Sequence, residues 1–231
     1  MPDAEPHPAA AAPEVTWLGH ASVLVRAGTA RLLFDPVVRP GLMHLRRRGR
    51  VDPAHLVDID AVFVSHAHHD HLDVASLRRI AAANPDVIIH APTGAAGVLR
   101  RLRIATVLTV AVGERIVIGN ATVEVTLVEH GGDRTGPRRD EAGAEAVSFV
   151  VQSPDGTRVW FAGDTELVPE LAAIGPVDVA LVPVGGWWRT LGPGHMDPDQ
   201  AARAVELVGA RVAIPIHWGT FYPLLLRSAM L

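Results

Sequence analysis

The sequence contains no cysteine and no lysine. Without cysteine, the chain cannot form a disulfide, bind zinc through thiolates, hold an iron–sulfur cluster on cysteines or use a cysteine nucleophile. Long apolar runs are also absent, because none approaches the ~18 residues that span a bilayer. Residues 1–14 lack the basic and apolar regions of a signal peptide. We therefore expect a disordered tail over residues 1–14, one domain over residues 15–231, and a cytoplasmic protein with no transmembrane segment.

A strong excess of one charge is missing as well. The 231 residues include 21 basic and 25 acidic side chains, which gives a net charge of −4. So mild an acidity gives no support for a nucleic-acid partner or for binding to a membrane surface. The apolar fraction of 48% is sufficient for a sizeable core. The sequence leaves a monomer and a homo-oligomer both open.

Short apolar or alternating runs predict β-strands along most of the chain. A run of the buried-strand type covers Ala61–Ser65, and another run covers Val212–Ile216. Helices are predicted over Val74–Ala83, Gly94–Arg103, Glu166–Ile174 and Pro198–Val208, the first and last with Asp73 and Asp197 as N-caps. Residues 37–57 and 131–145 are predicted to be loops. Helices interspersed among strands indicate sheets that are covered by helices.

The most informative segment runs from Ser65 to Asp73, with the sequence SHAHHDHLD. It holds four histidines and two aspartates, follows a predicted buried strand and precedes a predicted helix. Imidazole and carboxylate together suit Zn²⁺, Mn²⁺ or iron. The alternation of His66 and His68 can place two imidazoles on one side of an extended chain. We therefore interpret this segment as the start of a metal site.

Further candidate ligands lie at the ends of other predicted strands. They are His130, Asp164 in the turn AGDT, and His217 in the segment PIHWG. One histidine at a strand end is more often structural than a ligand. Three such residues together with the first cluster form one pattern, and two metal ions require more ligands than the first cluster alone can supply.

The combination HxHxDH, a distant His, GD and a final His resembles the ligand pattern of the metallo-β-lactamase superfamily. The resemblance implies a mixed α/β (α+β) fold, a four-layer αββα sandwich with the site at one edge, between the two sheets. It implies a first metal held by His66, His68 and His130, and a second metal held by Asp70, His71 and His217. It also implies that Asp164 bridges the two metals.

Smaller motifs resemble one subgroup of that superfamily. They lie at residues 17–22 (WLGHAS), 194–198 (GHMDP) and 217–221 (HWGTF). The subgroup contains the ascorbate-6-phosphate lactonases and the N-acyl-phosphatidylethanolamine phospholipase D proteins. These motifs do not fix a substrate.

The implied function is a metal-dependent hydrolase with two divalent metal ions, zinc first and manganese or iron as alternatives. A metal-bridging hydroxide would cleave a phosphodiester, a lactone or another ester of a small molecule or lipid. Alternatives of other classes are a di-iron redox protein, a nuclease that processes RNA or DNA, and a scaffold without activity. The redox proteins usually need a flavin domain that this chain is too short to contain, and the net charge disfavours a nuclease.

Several residues outside the implied ligand set are candidates for other roles. His195, in the loop GPGHMDP, can orient substrate or donate a proton, and it is the catalytic candidate together with Asp70. His20 and Asp35 are predicted to orient ligands through hydrogen bonds, and Trp187 to line the substrate cleft. His69 is predicted to point away from the metals. The basic run Arg46–Arg50 is interpreted as a solvated loop in preference to a phosphate clamp.

Overall fold

The structure is a computed structural model that describes residues 11–131, 145–186 and 191–223. The strands of these ranges are, in chain order, β1 (Glu14–Gly19), β2 (Ser22–Ala27), β3 (Ala30–Phe34), β4 (Gly41–Leu42), β5 (Leu45–Arg47), β6 (Ala61–Phe63), β7 (Ile88–Ala91), β8 (Thr106–Thr109), β9 (Arg115–Ile118), β10 (Ala121–Gly131), β11 (Glu145–Gln152), β12 (Arg158–Phe161), β13 (Val179–Pro183), β14 (Val212–Ile216) and β15 (Phe221–Pro223). The helices are α1 (Val74–Ala83), α2 (Thr93–Leu102) and α3 (Pro198–Leu207), with 3-10 turns at Pro53–Leu56 and Pro169–Ile174.

Two six-stranded sheets and one small sheet organise these strands. The first sheet has the order β1-β2-β3-β6-β7-β8, and the second has the order β14-β13-β12-β11-β10-β9. In the first sheet, β3, β6, β7 and β8 are mutually parallel, and in the second sheet β12, β13 and β14 are. The small sheet, β15-β5-β4, joins the end of the described chain to residues 41–47.

Three hydrophobic clusters show how the layers pack. The central cluster joins the inner faces of the two large sheets and includes four fully buried phenylalanines, Phe34, Phe63, Phe149 and Phe161. A second cluster packs α1 and α2 on the outer face of the first sheet. A third packs α3 and the turn Pro169–Ile174 on the outer face of the second sheet. The order of layers is therefore αββα, which confirms the predicted fold.

Both predicted N-caps are present, because each carboxylate accepts hydrogen bonds from the first turn of its helix. The Asp73 carboxylate accepts from the Ser76 amide at 2.9 Å, and the Asp197 carboxylate accepts from the Gln200 amide at 2.8 Å. Gln200 also accepts from the Asp197 amide, which completes a capping box. Within the described part of the chain, no helix has the length and apolarity needed to cross a membrane.

Two of the predicted elements differ from the structure. Residues 37–57, predicted as a loop, contain the hairpin of β4 and β5 and a 3-10 turn. The helix predicted over Glu166–Ile174 is a six-residue 3-10 turn, because Pro169 begins it and Gly175, at a φ of +72°, ends it. The first strand begins at Glu14, one residue before the predicted domain boundary. Most of the predicted loop 131–145, and residues 1–10 of the predicted tail, lie outside the described residues.

The carboxyl ends of the parallel strands meet at one edge of the sandwich. Asp35 follows β3, Ser65 and His66 follow β6, Asp164 follows β12, and His217 follows β14. Parallel strands commonly present ligand-binding residues at this end, because the chain leaves every strand there in the same direction. The fold thus brings together residues that are far apart in the sequence.

Candidate metal centre

The segment between β6 and α1 delivers four candidate ligands by folding back on itself. The His68 carbonyl accepts hydrogen bonds from the His71 amide at 3.1 Å and from the Leu72 amide at 2.8 Å. His66, His68, Asp70 and His71 all belong to the ligand groups described below. His69 is exposed and belongs to neither of the ligand groups described below.

The remaining candidate ligands come from the second sheet. His130 lies within β10, one residue before its end, where the pairing with β11 is irregular between Leu127 and Gly131. Irregular pairing of this kind can re-aim a side chain at the rim of a sheet. His217, directly after β14, has a φ of +64°, which is strained for a residue other than glycine.

The candidate ligands form two neighbouring groups, and a third group, Asp35 with His66 and His71, overlaps both; within each group the ligand atoms lie within 4.8 Å of one another. The first group is His66, His68, His130 and Asp164, and the second is His20, Asp70, His71 and His217. The structure therefore brings all seven sequence-predicted ligand residues together and adds His20 to the second group. Most of these side chains are buried.

Asp164 lies between the two groups. Its Oδ2 atom is 3.0 Å from His71 Nε2 in the second group and 3.8 Å from His66 Nε2 in the first. Its Oδ1 atom is buried without a hydrogen bond, although His217 Nε2 lies 3.4 Å away. A buried carboxylate oxygen without a donor is costly. A cation shared by the two groups would satisfy it.

The spacing of the imidazole nitrogens also fits metal ions. His68 Nδ1 lies 2.9 Å from His66 Nε2 and 3.2 Å from His130 Nε2, and the Nε2 atoms of His71 and His217 are 3.3 Å apart. Four tetrahedral ligands with zinc–nitrogen bonds of about 2.0–2.1 Å have neighbouring nitrogens about 3.3–3.4 Å apart. The nitrogens are thus close to the separation that a common cation requires.

The electrostatics of the first ligand group favour the protonation states of metal ligands. Burial lowers the pKa of His66, His68 and His130, that of His130 to about 4, so their rings are neutral at pH 7. Burial alone would raise the pKa of Asp164, but His217 and His71 hold it well below its usual range. Metal ligands must be neutral imidazoles or ionised carboxylates, which the first group already provides. In the second group, the carboxylates around His71 outweigh its burial and raise its pKa well above the usual value.

Asp35 orients two of the candidate ligands, His71 and His66, through hydrogen bonds to the Nδ1 side of their rings. Its buried carboxylate accepts a hydrogen bond from His71 Nδ1 at 2.7 Å, and its Oδ2 atom also accepts from Ser65 Oγ at 2.5 Å. Ser65 Oγ is in turn 2.9 Å from His66 Nδ1. These bonds leave the Nε2 atom of both rings facing the centre, which is the usual arrangement behind a metal-binding histidine. Ser65 was not singled out in the sequence, although it directly precedes the cluster.

His20 and Asp70 form a buried pair at the edge of the second group. His20 Nε2 lies 3.0 Å from Asp70 Oδ2, and Asp70 Oδ2 lies 3.4 Å from His217 Nε2. Burial and the neighbouring His217 lower the pKa of His20 to about 4. A neutral His20 can donate one proton to Asp70 and so fix the direction of that carboxylate. That His20 orients a ligand through this hydrogen bond stays a prediction.

A chain of hydrogen bonds that the sequence did not indicate orients His130. His130 Nδ1 donates to the Gly194 carbonyl at 2.7 Å, and the Gly194 amide donates to Glu166 Oε1 at 2.6 Å. A Cβ atom on Gly194 would lie 2.3 Å from His130 Nδ1, and its φ is +78°, so glycine is required there. The next residue, His195, places Nε2 3.4 Å from Asp164 Oδ2, and its pKa is raised because hydrogen bonding to Asp164 outweighs burial.

Two open cavities adjoin the centre. One, of about 370 Å³, is bounded by the hairpin residues Leu42, Met43 and His44 and by the centre. The other, of about 400 Å³, includes Glu129 and Glu166 beside His130 and His195. Within the basic run, Arg47 is buried, which corrects the prediction of a wholly solvated loop. Trp187, predicted to line the cleft, lies outside the described residues.

Comparisons with known proteins agree with this geometry. Residues 30–218 match the family described as Beta-lactamase superfamily domain. A UPF0173 metal-dependent hydrolase of Methanoregula boonei is 33% identical, and the match covers 90% of this chain and 82% of that protein.

Two solved structures share the fold. One is an isothiocyanate hydrolase from Delia radicum gut bacteria, with a TM-score of 0.72, 19% identity, and coverage of 94% of this chain and 88% of that one. The other is CmlA, a diiron β-hydroxylase of Streptomyces venezuelae, with a TM-score of 0.68, 23% identity, and coverage of 93% and 46%. The family match and the curated relative together show that the chain belongs to the metallo-β-lactamase superfamily.

Proposed function

We propose that the chain binds two divalent metal ions, with zinc as the best fit, and hydrolyses an ester bond at the centre between them. The observation that carries this proposal is the location of Asp164, whose carboxylate lies within 4.0 Å of imidazole nitrogens from both ligand groups. Asp164 would serve both metals. His66, His68 and His130 would hold the first metal, and Asp70, His71 and His217 would hold the second.

Bound divalent cations supply Lewis acidity and bring the pKa of water from 15.7 to about 7. The protein's own residues fix the directions of the proposed ligands. Asp35 fixes His71 directly and His66 through Ser65, while His20 fixes Asp70. The rings of His71 and His66 therefore each keep one tautomer, which keeps their Nε2 atoms directed at the centre.

His195 is the proposed proton donor to the leaving group. Its Nδ1 atom donates to the Pro193 carbonyl at 2.9 Å, and its Nε2 atom faces Asp164 at the mouth of both cavities. The Asp164 carboxylate raises the pKa of His195, which favours the protonated ring that a proton donor requires. Asp70 is proposed to act as a ligand that also borders the substrate cavity.

The walls of the cavities favour a carboxylic ester or lactone over a phosphodiester. Among the described residues, those that line the two cavities include no arginine, and two of them are the acidic Glu129 and Glu166. Phosphate recognition generally uses arginine or lysine. The guanidinium of Arg47 is directed instead at the carbonyls of Val37 and Leu18, inside the protein.

A substrate panel with and without metal tests the proposal. Zinc-loaded protein is incubated with a chromogenic phosphodiester, a simple lactone and a chromogenic carboxylic ester, before and after treatment with a chelator. We expect chelator-sensitive turnover of the lactone or carboxylic ester. Turnover that survives complete metal removal would contradict the proposal, and stoichiometric iron without any hydrolysis would favour the di-iron redox alternative.

A further inference from the structure

The hairpin of β4 and β5 carries an unusual residue at its tip. Leu42 pairs with Leu45, so the turn consists of two residues, Met43 and His44. Met43 has a φ of +50°, and 64% of its surface is exposed. Two-residue hairpin turns normally place Gly, Asn or Asp at positive φ. The protein thus maintains a residue that is both strained and apolar at an exposed position.

The base of the hairpin is held firmly. The buried Arg47 guanidinium donates to the Val37 carbonyl at 2.6 Å and to the Leu18 carbonyl, and it lies 5.7 Å from the centre of the Phe221 ring. The Arg48 amide donates to the Thr220 carbonyl at 2.7 Å. Because these contacts fix the base of the hairpin, the tip has a defined position beside the centre.

The tip faces the candidate metal centre across the cavity of about 370 Å³. Leu42, Met43 and His44 line this cavity together with residues of the centre, among them His68, Asp70, Asp164 and His195. This volume falls within the usual range for small-molecule sites. Backbone strain in a residue that borders such a cavity is a recognised sign of function.

We propose that Leu42 and Met43 bind the apolar alkyl or acyl part of the substrate, next to the bond that is hydrolysed at the centre. The inference rests on the proposed function. It narrows the substrate to an ester or lactone with a hydrocarbon portion. Met43 supplies a flexible, polarisable surface that adapts to chains of different shape, and the mostly buried Leu42 lines the same cavity beside it.

Metal-binding hydroxamates of two chain lengths test the proposal without requiring turnover. Acetohydroxamate and octanohydroxamate are titrated by calorimetry into zinc-loaded parent protein and into the variant Met43→Asn. A buried methylene is worth roughly fourfold in affinity, so even partial burial of the longer chain should make octanohydroxamate at least tenfold tighter in the parent. In Met43→Asn this ratio should fall to about threefold or less, while acetohydroxamate affinity stays within about twofold.

Controls separate this subsite from general effects. Val117 is an exposed apolar residue on β9, at the far edge of the second sheet, so Val117→Asn should keep the parent ratio. Met43→Leu should also keep it. Because asparagine tolerates positive φ, Met43→Asn should melt at or above the parent temperature, which would show that its loss of affinity is not unfolding.

The possible failures are distinguishable. An unchanged chain-length ratio in Met43→Asn, or equal binding of both hydroxamates by the parent, would overturn the hairpin subsite while leaving the metal centre intact. Failure of both hydroxamates to bind the parent would overturn the metal centre itself, and this inference with it.

Discussion

Replacing Asp35 by asparagine should weaken metal binding although Asp35 is not a proposed ligand. The side chain is fully buried and accepts three hydrogen bonds, from the Ser65 amide at 2.7 Å, from Ser65 Oγ at 2.5 Å and from His71 Nδ1 at 2.7 Å. Every partner of this carboxylate is a donor. Asparagine has nearly the same shape but offers one oxygen and one NH₂ group, so at least one donor would face another donor.

The expected magnitude follows from that mismatch. An unsatisfied buried donor costs about 1–3 kcal/mol of stability, and loss of a partner behind a metal ligand typically lowers metal affinity about 10–100-fold. The loss should be greater for the second metal, because Asp35 contacts His71 directly but reaches His66 through Ser65. We therefore expect two unequal losses of affinity in Asp35→Asn.

Competition with a chromophoric zinc chelator measures both affinities. Asp60→Asn is the matched control, since Asp60 also accepts a backbone amide, that of Arg31 at 2.7 Å, but is exposed and lies outside both ligand groups. Its zinc affinities should equal those of the parent. Parent-like affinities in a folded Asp35→Asn protein would mean that this carboxylate does not orient the ligands.

Three further outcomes are expected. Glu166→Ala should weaken the first metal more than the second, measured by the same competition, because the Gly194 loop that orients His130 loses its carboxylate anchor; equal losses at both metals would contradict this route. Gly194→Ala should lower both the melting temperature and first-metal affinity, since its Cβ would collide with the His130 ring; a variant identical to the parent in both would count against the close packing. Burial lowers the pKa of His90 to about 4. As the pH drops, the unfolded chain therefore binds a proton at this residue before the folded chain does. The free energy of unfolding should fall between about pH 6.5 and 4, by at most about 3 kcal/mol. Urea unfolding of metal-free protein at pH 7.5 and 5 should show a smaller loss of stability in His90→Leu than in the parent. An equal loss in both would mean that His90 does not cause the pH dependence.

The candidate ligands could be predicted because the fold brings the ends of several strands close together in space. His66, Asp164 and His217 each follow a strand whose apolar run is visible in the sequence. In the first sheet β6 runs parallel to β3 and β7, and in the second sheet β12, β13 and β14 run parallel to one another, so within each sheet the carboxyl ends of these strands lie at one edge. The αββα layering followed only from the resemblance and not from the runs themselves, and the order of the strands within each sheet was not predicted.

The supporting contacts could not be predicted, because they join residues that no local pattern relates. Glu166 reaches Gly194 across 28 positions, and Arg47 reaches Leu18 across 29. The hairpin at residues 41–47 was missed for a similar reason. Its strands contain two and three residues, too few for a visible alternation, and β5 is completed by pairing with β15 at the other end of the chain.

The ratio of metal to protein shows whether the centre binds two metals. Purified chain is reconstituted with zinc, freed of unbound metal by desalting and analysed by mass spectrometry, with Asp164→Asn treated in parallel. Because the two ligand groups share Asp164, the account predicts about two metals per chain in the parent and a clear loss in the variant. One metal or none in the folded parent, or two tightly held metals in Asp164→Asn, would contradict it.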